Sequence, residues 1–75
     1  MAVHKLPSYE DVALELARLE RREREISALR AKLHVRLDSF PNEVTARQER
    51  KVSDERRQLH LRIDELRAQL ALLRQ

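Results

Sequence analysis

An all-α fold, an antiparallel two-helix coiled-coil hairpin, is predicted by three features of this sequence. The 75 residues contain no Gly, two Pro and 39% charged side chains, with one Phe, one Tyr and no Trp. Apolar residues recur at alternating spacings of four and three through two long stretches. The one strong breaker between those stretches, Pro41, lies near the middle of the chain. A chain rich in Ala, Glu, Leu and Arg with so few aromatics reads as long helix, not as sheet. A single helical hairpin over residues 1–75 is therefore expected, burying little surface for its length.

Helix signals begin at Pro7-Ser8, which sets the first helix at about 8–39. Ser8 is the expected N-cap, and Glu10 and Asp11 place negative charge in the first turn, where the helix dipole favours it. Its seam is Val12, Leu16, Leu19, Glu23, Ile26, Arg30, Leu33, Leu37 and Phe40, a heptad a/d register with Leu16 at a. The stretch SFPNEVT then holds the turn, expected at about 40–44, because Pro41 breaks the helix and disfavours helical geometry at Phe40. Asn42 or Thr45 caps the second helix, and Thr45 with Gln48 has capping-box spacing. That helix, expected at about 45–74, has the seam Thr45, Glu49, Val52, Arg56, Leu59, Ile63, Leu66, Leu70 and Leu73. A short connection between helices of similar length implies an antiparallel pair.

Composition also narrows function. With no Cys there is no thiol nucleophile and no Cys-based metal site. No segment has signal-peptide or membrane-span character, so a cytoplasmic location is expected. The net charge is only +3, and the densest charged run, RLERRERE at 18–25, alternates in sign. Such a run is a solvated face laced with i,i+4 pairs, so neither DNA nor membrane binding is expected. There is no Gly-rich loop or Ser-His-Asp constellation, and a two-helix hairpin encloses no cavity, so no enzyme is expected.

The seam carries charge where it should carry Leu. Residues 23–38, EREISALRAKLHVRLD, and residues 49–64, ERKVSDERRQLHLRID, are identical at eight of sixteen positions. Five of these carry chemistry, in the pattern E-x3-S-x2-R-x3-H-x3-D: Glu23, Ser27, Arg30, His34 and Asp38, then Glu49, Ser53, Arg56, His60 and Asp64. At about 100° per residue each set spans a stripe roughly 80° wide, on the seam or its e flank. In an antiparallel pair e faces e, so both sets open onto one flank. With the turn centred between residues 43 and 44, Glu23 is expected level with Asp64, Ser27 with His60, His34 with Ser53, and Asp38 with Glu49. Arg30 is then expected beside Arg57 and close to Arg56. Two like charges beside a thin apolar seam are costly unless an anion joins them, and without one the hairpin would close loosely.

The repeated pattern resembles the cyclic-di-GMP signature of the RsiG anti-sigma factors, E-x3-S-x2-R-x3-Q-x3-D once on each helix of an antiparallel coiled coil. Four of five positions match in both copies, and His34 and His60 stand where the family has Gln. The resemblance covers the middle of the chain. It implies a partly intercalated dimer of cyclic-di-GMP on the motif face, and capture of a WhiG-type sigma factor by the loaded protein.

The residue types suit such a ligand. Arg presents a planar fork to phosphate or to the guanine O6/N7 edge. Asp accepts from guanine N–H groups, Ser serves phosphate or ribose, and His stacks or donates. Glu23 and Glu49 either contact the ligand or neutralise the arginines. His34–Asp38 and His60–Asp64 have i,i+4 metal spacing, but two ligands per site make a poor metal centre, and none is expected. The alternative is a ligand-free structural coiled coil, perhaps a homodimeric four-helix bundle, whose polar a residues set register. Leu14, Leu29, Val35, Leu61 and Leu72 lie off the seam, either as ordinary exposed leucines or as a partner face.

Overall fold

The computed structural model describes residues 7–75 and consists of two helices, α1 (Tyr9–Ser39) and α2 (Glu43–Leu73), packed as an antiparallel hairpin. Residues 1–6, at the start of the expected hairpin, lie outside the described residues. Ser8 caps α1 through a reciprocal capping box. Its Oγ accepts from the Asp11 N–H at 3.2 Å, and its own N–H donates to Asp11 Oδ2 at 3.5 Å. At the other end the Phe40 N–H closes on the Arg36 carbonyl at 2.7 Å. Phe40 itself turns to φ −140°, ψ 80°, outside the helical region as its position before Pro41 requires.

The turn is shorter than the sequence suggests, because Asn42 and not Thr45 caps the second helix. Asn42 Oδ1 accepts from the Thr45 N–H at 2.8 Å, while its Nδ2 donates to the Phe40 carbonyl at 3.3 Å. One side chain thus joins the end of α1 to the start of α2, and α2 begins at Glu43. Thr45 is left to act as a buried seam residue.

Packing is uneven along the seam. Val12, Leu16, Ile63, Leu66 and Leu70 form the main cluster, with Leu19 and Leu59 against it, in the half away from the turn. Toward the turn, Ile26, Leu33 and Thr45 are also buried, outside that cluster. Two residues assigned to the seam fall outside it: Phe40, 77% exposed because its backbone has left the helix, and Leu73, exposed in the last turn of α2. Exposed ion pairs bridge the helices, Arg22–Glu55 at 2.8 Å and Glu15–Arg62 at 3.0 Å on the g flank and Glu20–Arg67 at 3.0 Å on the e flank. Each adds little stability, but together they favour one register.

The hairpin measures 54 × 28 × 14 Å, so a ligand can only lie on a face. No helix among the described residues is long and apolar enough to cross a membrane. Leu66→Ala should lower stability by about 2–5 kcal/mol, whereas Asn42→Ala should cost about 1 kcal/mol. Urea titration followed by circular dichroism reads both, and a negligible loss at Leu66 would place the core elsewhere.

Candidate functional site

Eight of the ten repeat residues meet across the e flank and its adjoining seam, but in a different register from the one expected. Glu23 meets His60 rather than Asp64, and Ser27 meets Arg56 rather than His60. Arg30 meets Ser53, and His34 meets Glu49. The helices are displaced by four residues from the predicted pairing. The turn, capped by Asn42, lies ahead of the midpoint between residues 43 and 44 that the repeat predicts.

This register builds two equivalent clusters across the seam. In the first, Ser27 Oγ donates to Glu23 Oε1 at 2.5 Å and accepts from Arg56 Nε at 3.1 Å. His60 Nε2 lies 3.1 Å from the same Glu23 oxygen, and Arg56 Nε 3.7 Å from it. In the second, Ser53 donates to Glu49 Oε1 at 2.6 Å and accepts from Arg30 Nε at 3.1 Å. His34 Nε2 lies 3.0 Å and Arg30 Nε 3.8 Å from that oxygen. One helix supplies Glu and Ser, the other Arg and His, and a pseudo-two-fold axis relates the two sets.

Two expectations are corrected by these contacts. The arginines do not confront each other unpaired; each is bound to a Ser and a Glu of the opposite helix, so the ligand-free hairpin is held shut, not pushed open. Arg57 turns away from the seam to pair with Asp54 on its own helix. The serines, readable from sequence only as ligand contacts or filler, are relays that use both the donor and the acceptor capacity of the hydroxyl. Only their repeated spacing signalled this, and the spacing does not say what they touch.

What faces outward is distinct from what holds the clusters together. The side chains of Arg30 and Arg56 are 38% and 37% exposed, and each bonds inward through Nε alone. Their Nη nitrogens make no hydrogen bond among the described residues, leaving two planar donor forks on one flank. The two arginines differ in level by three residues, roughly 4.5 Å of helical rise. Asp38 and Asp64 are exposed, with no ion pair among the described residues, and Asp64 shares an open depression with Arg56, Arg57, His60 and Leu61. Leu14, Leu29, Val35, Leu61 and Leu72 are exposed as well. Leu29, Val35, Leu61 and Leu72 border four separate depressions.

No protein-family model, curated protein or solved structure matches this chain.

The clusters also set the acid response. The Glu23 carboxyl is held below the ordinary range, first by the Ser27 hydroxyl and then by His60, with a smaller effect of the Arg56 charge. Glu49 is lowered in the same order by Ser53, His34 and Arg30. A depressed carboxyl stabilises the fold fully above its unfolded value, ~4.3, and that stability is lost as pH falls through the folded value. Thermal melts between about pH 6 and about pH 3 should therefore show a falling Tm. The Glu23→Gln, Glu49→Gln double variant should lose less over that interval than the parent protein. Equal slopes would mean that the clusters contribute nothing to acid stability.

Proposed function

We propose that the hairpin binds cyclic-di-GMP on its e flank and acts as an anti-sigma factor, sequestering a WhiG-type sigma factor when loaded. The observation that supports this reading best is the pair of outward guanidinium forks. Arg30 and Arg56 are fixed at Nε by the opposite helix and keep their Nη groups available on the same side. A fork held in place loses little freedom on binding, which favours affinity. The pseudo-two-fold arrangement of the forks suits a ligand that is itself two-fold symmetric and carries two phosphates. Asp38 and Asp64, which have no ion pair among the described residues, supply acceptors for guanine N–H groups, which distinguishes guanine from adenine.

The residues then divide by role. Arg30, Arg56, Asp38 and Asp64 contact nucleotide, with His34 and His60 at the edge. Glu23, Ser27, Glu49 and Ser53 position the arginines and close the hairpin beforehand. Loading adds ligand to a formed surface, and the sigma factor reads that surface together with side chains beside it, such as Leu61. Nucleotide at 100 times its Kd adds roughly 2.7 kcal/mol of stability to the loaded form.

A second reading, a ligand-free structural coiled coil, draws support from the same clusters. Among the described residues no buried side-chain nitrogen or oxygen lacks a partner, so the polar layers are complete without a ligand. In that case, replacing Glu23, Arg30, Glu49 and Arg56 by leucine would raise Tm and remove no binding activity.

Isothermal titration with cyclic-di-GMP, with cyclic-di-AMP and GTP as controls, separates the two. Selective saturable binding is expected. Arg30→Ala with Arg56→Ala should weaken it roughly 100-fold or more, since charge-assisted contacts contribute about 1.5–3 kcal/mol each. Arg30→Lys with Arg56→Lys keeps the charge but loses the fork, and should also bind poorly. Unchanged affinity in both variants, with helicity retained, would sink the nucleotide reading.

A further inference from the structure

The flank opposite the repeat residues offers an internal comparison. The offset that carries Glu23 onto Glu49 also carries Leu29 onto Glu55, Leu33 onto Leu59 and Arg36 onto Arg62. It likewise carries Arg22 onto Gln48, Glu25 onto Lys51 and Ile26 onto Val52. The two halves of this g flank therefore have matching backbones and different side chains.

In the half away from the turn, the seam is barred by ion pairs. Arg22 joins Glu55 and Glu25, and Arg62 joins Glu15 and Glu65. In the half near the turn, the corresponding bars are missing. Leu29 stands where the other half has Glu55, and it is 43% exposed. Together with Leu33 and Val52 it floors an open groove of about 400 Å³. Arg36 and Lys51 stand on its rims and make no ion pair among the described residues. The one carboxylate at the groove, Glu55, is already bound to Arg22.

We propose that this groove docks an acidic amphipathic helix of a protein partner, as a third strand of the coiled coil. An apolar stripe at i, i+3, i+4 and i+7 would cover Leu29 and the accessible part of Val52, above the buried Leu33. Its flanking carboxylates would meet Arg36 and Lys51, which have no acidic partner among the described residues. A second copy of the chain is the poorer occupant. A two-fold contact here would set Arg36 and Lys51 against the same residues of the other protomer. Lys32, exposed on the same side of α1 and without an ion pair among the described residues, adds to that repulsion. The proposal is independent of the nucleotide reading, which concerns the opposite flank.

The test is a titration of the ¹⁵N-labelled chain with two synthetic helical peptides. Both carry leucine at i, i+3, i+4 and i+7; one carries glutamate at the flanking positions, the other lysine. The glutamate peptide should bind at least about ten-fold more tightly, moving the amide signals of Leu29, Leu33, Arg36, Lys51 and Val52. Arg36→Glu with Lys51→Glu should reverse that preference. Absence of binding, equal affinity for the two peptides, or signal changes centred elsewhere would overturn the proposal. So would self-association that covers these residues before peptide is added. Cyclic-di-GMP titration of the Arg36→Glu, Lys51→Glu variant reads the other flank, so neither result decides the other.

Discussion

The hydroxyl-centred link from Glu23 through Ser27 to Arg56, and its counterpart from Glu49 through Ser53 to Arg30, is the interaction on which the hairpin depends. A seam this narrow cannot hold lone charges at a positions, because the desolvation they suffer is repaid only by well-placed partners. Here each arginine receives a carboxylate and a hydroxyl from the facing helix. The carboxylate in turn receives a serine proton and a histidine nitrogen. A slip of one turn would separate both clusters together, so the polar layers act on specificity more than on stability.

That constraint explains the uneven distribution of apolar packing. The main cluster of Val12, Leu16, Ile63, Leu66 and Leu70 lies on one side of the polar layers, whereas Ile26 and Leu33 alternate with the polar residues along α1 and Thr45 lies toward the turn. The larger cluster supplies most of the burial. The turn end is held by Asn42, which serves both helices at once. Because each arginine bonds inward through Nε alone, its outer groups remain accessible without opening the core.

A slab 14 Å thick has two flanks and no interior, so any function must be carried on a surface. The e flank carries preset donors together with carboxylates that have no ion pair among the described residues. The g flank carries ion pairs in one half and an uncovered, cation-rimmed apolar groove in the other.

Much of this was legible from the sequence alone. The period of the apolar residues, the Ser8 cap and the Pro41 break are local features, so they determined an all-α hairpin and the approximate extent of each helix. The repeated Glu, Ser, Arg, His and Asp spacing placed ten residues on one flank, since a helix converts spacing directly into direction. Register was different. The midpoint of the repeat, between residues 43 and 44, predicts one pairing, and the packed helices adopt another four residues away, which re-pairs every cross-helix contact of the site. Spacing along one helix could not reveal that the serines are relays or that the arginines are already paired. Those facts belong to contacts between residues far apart in the chain, and only packing the two helices together fixes them.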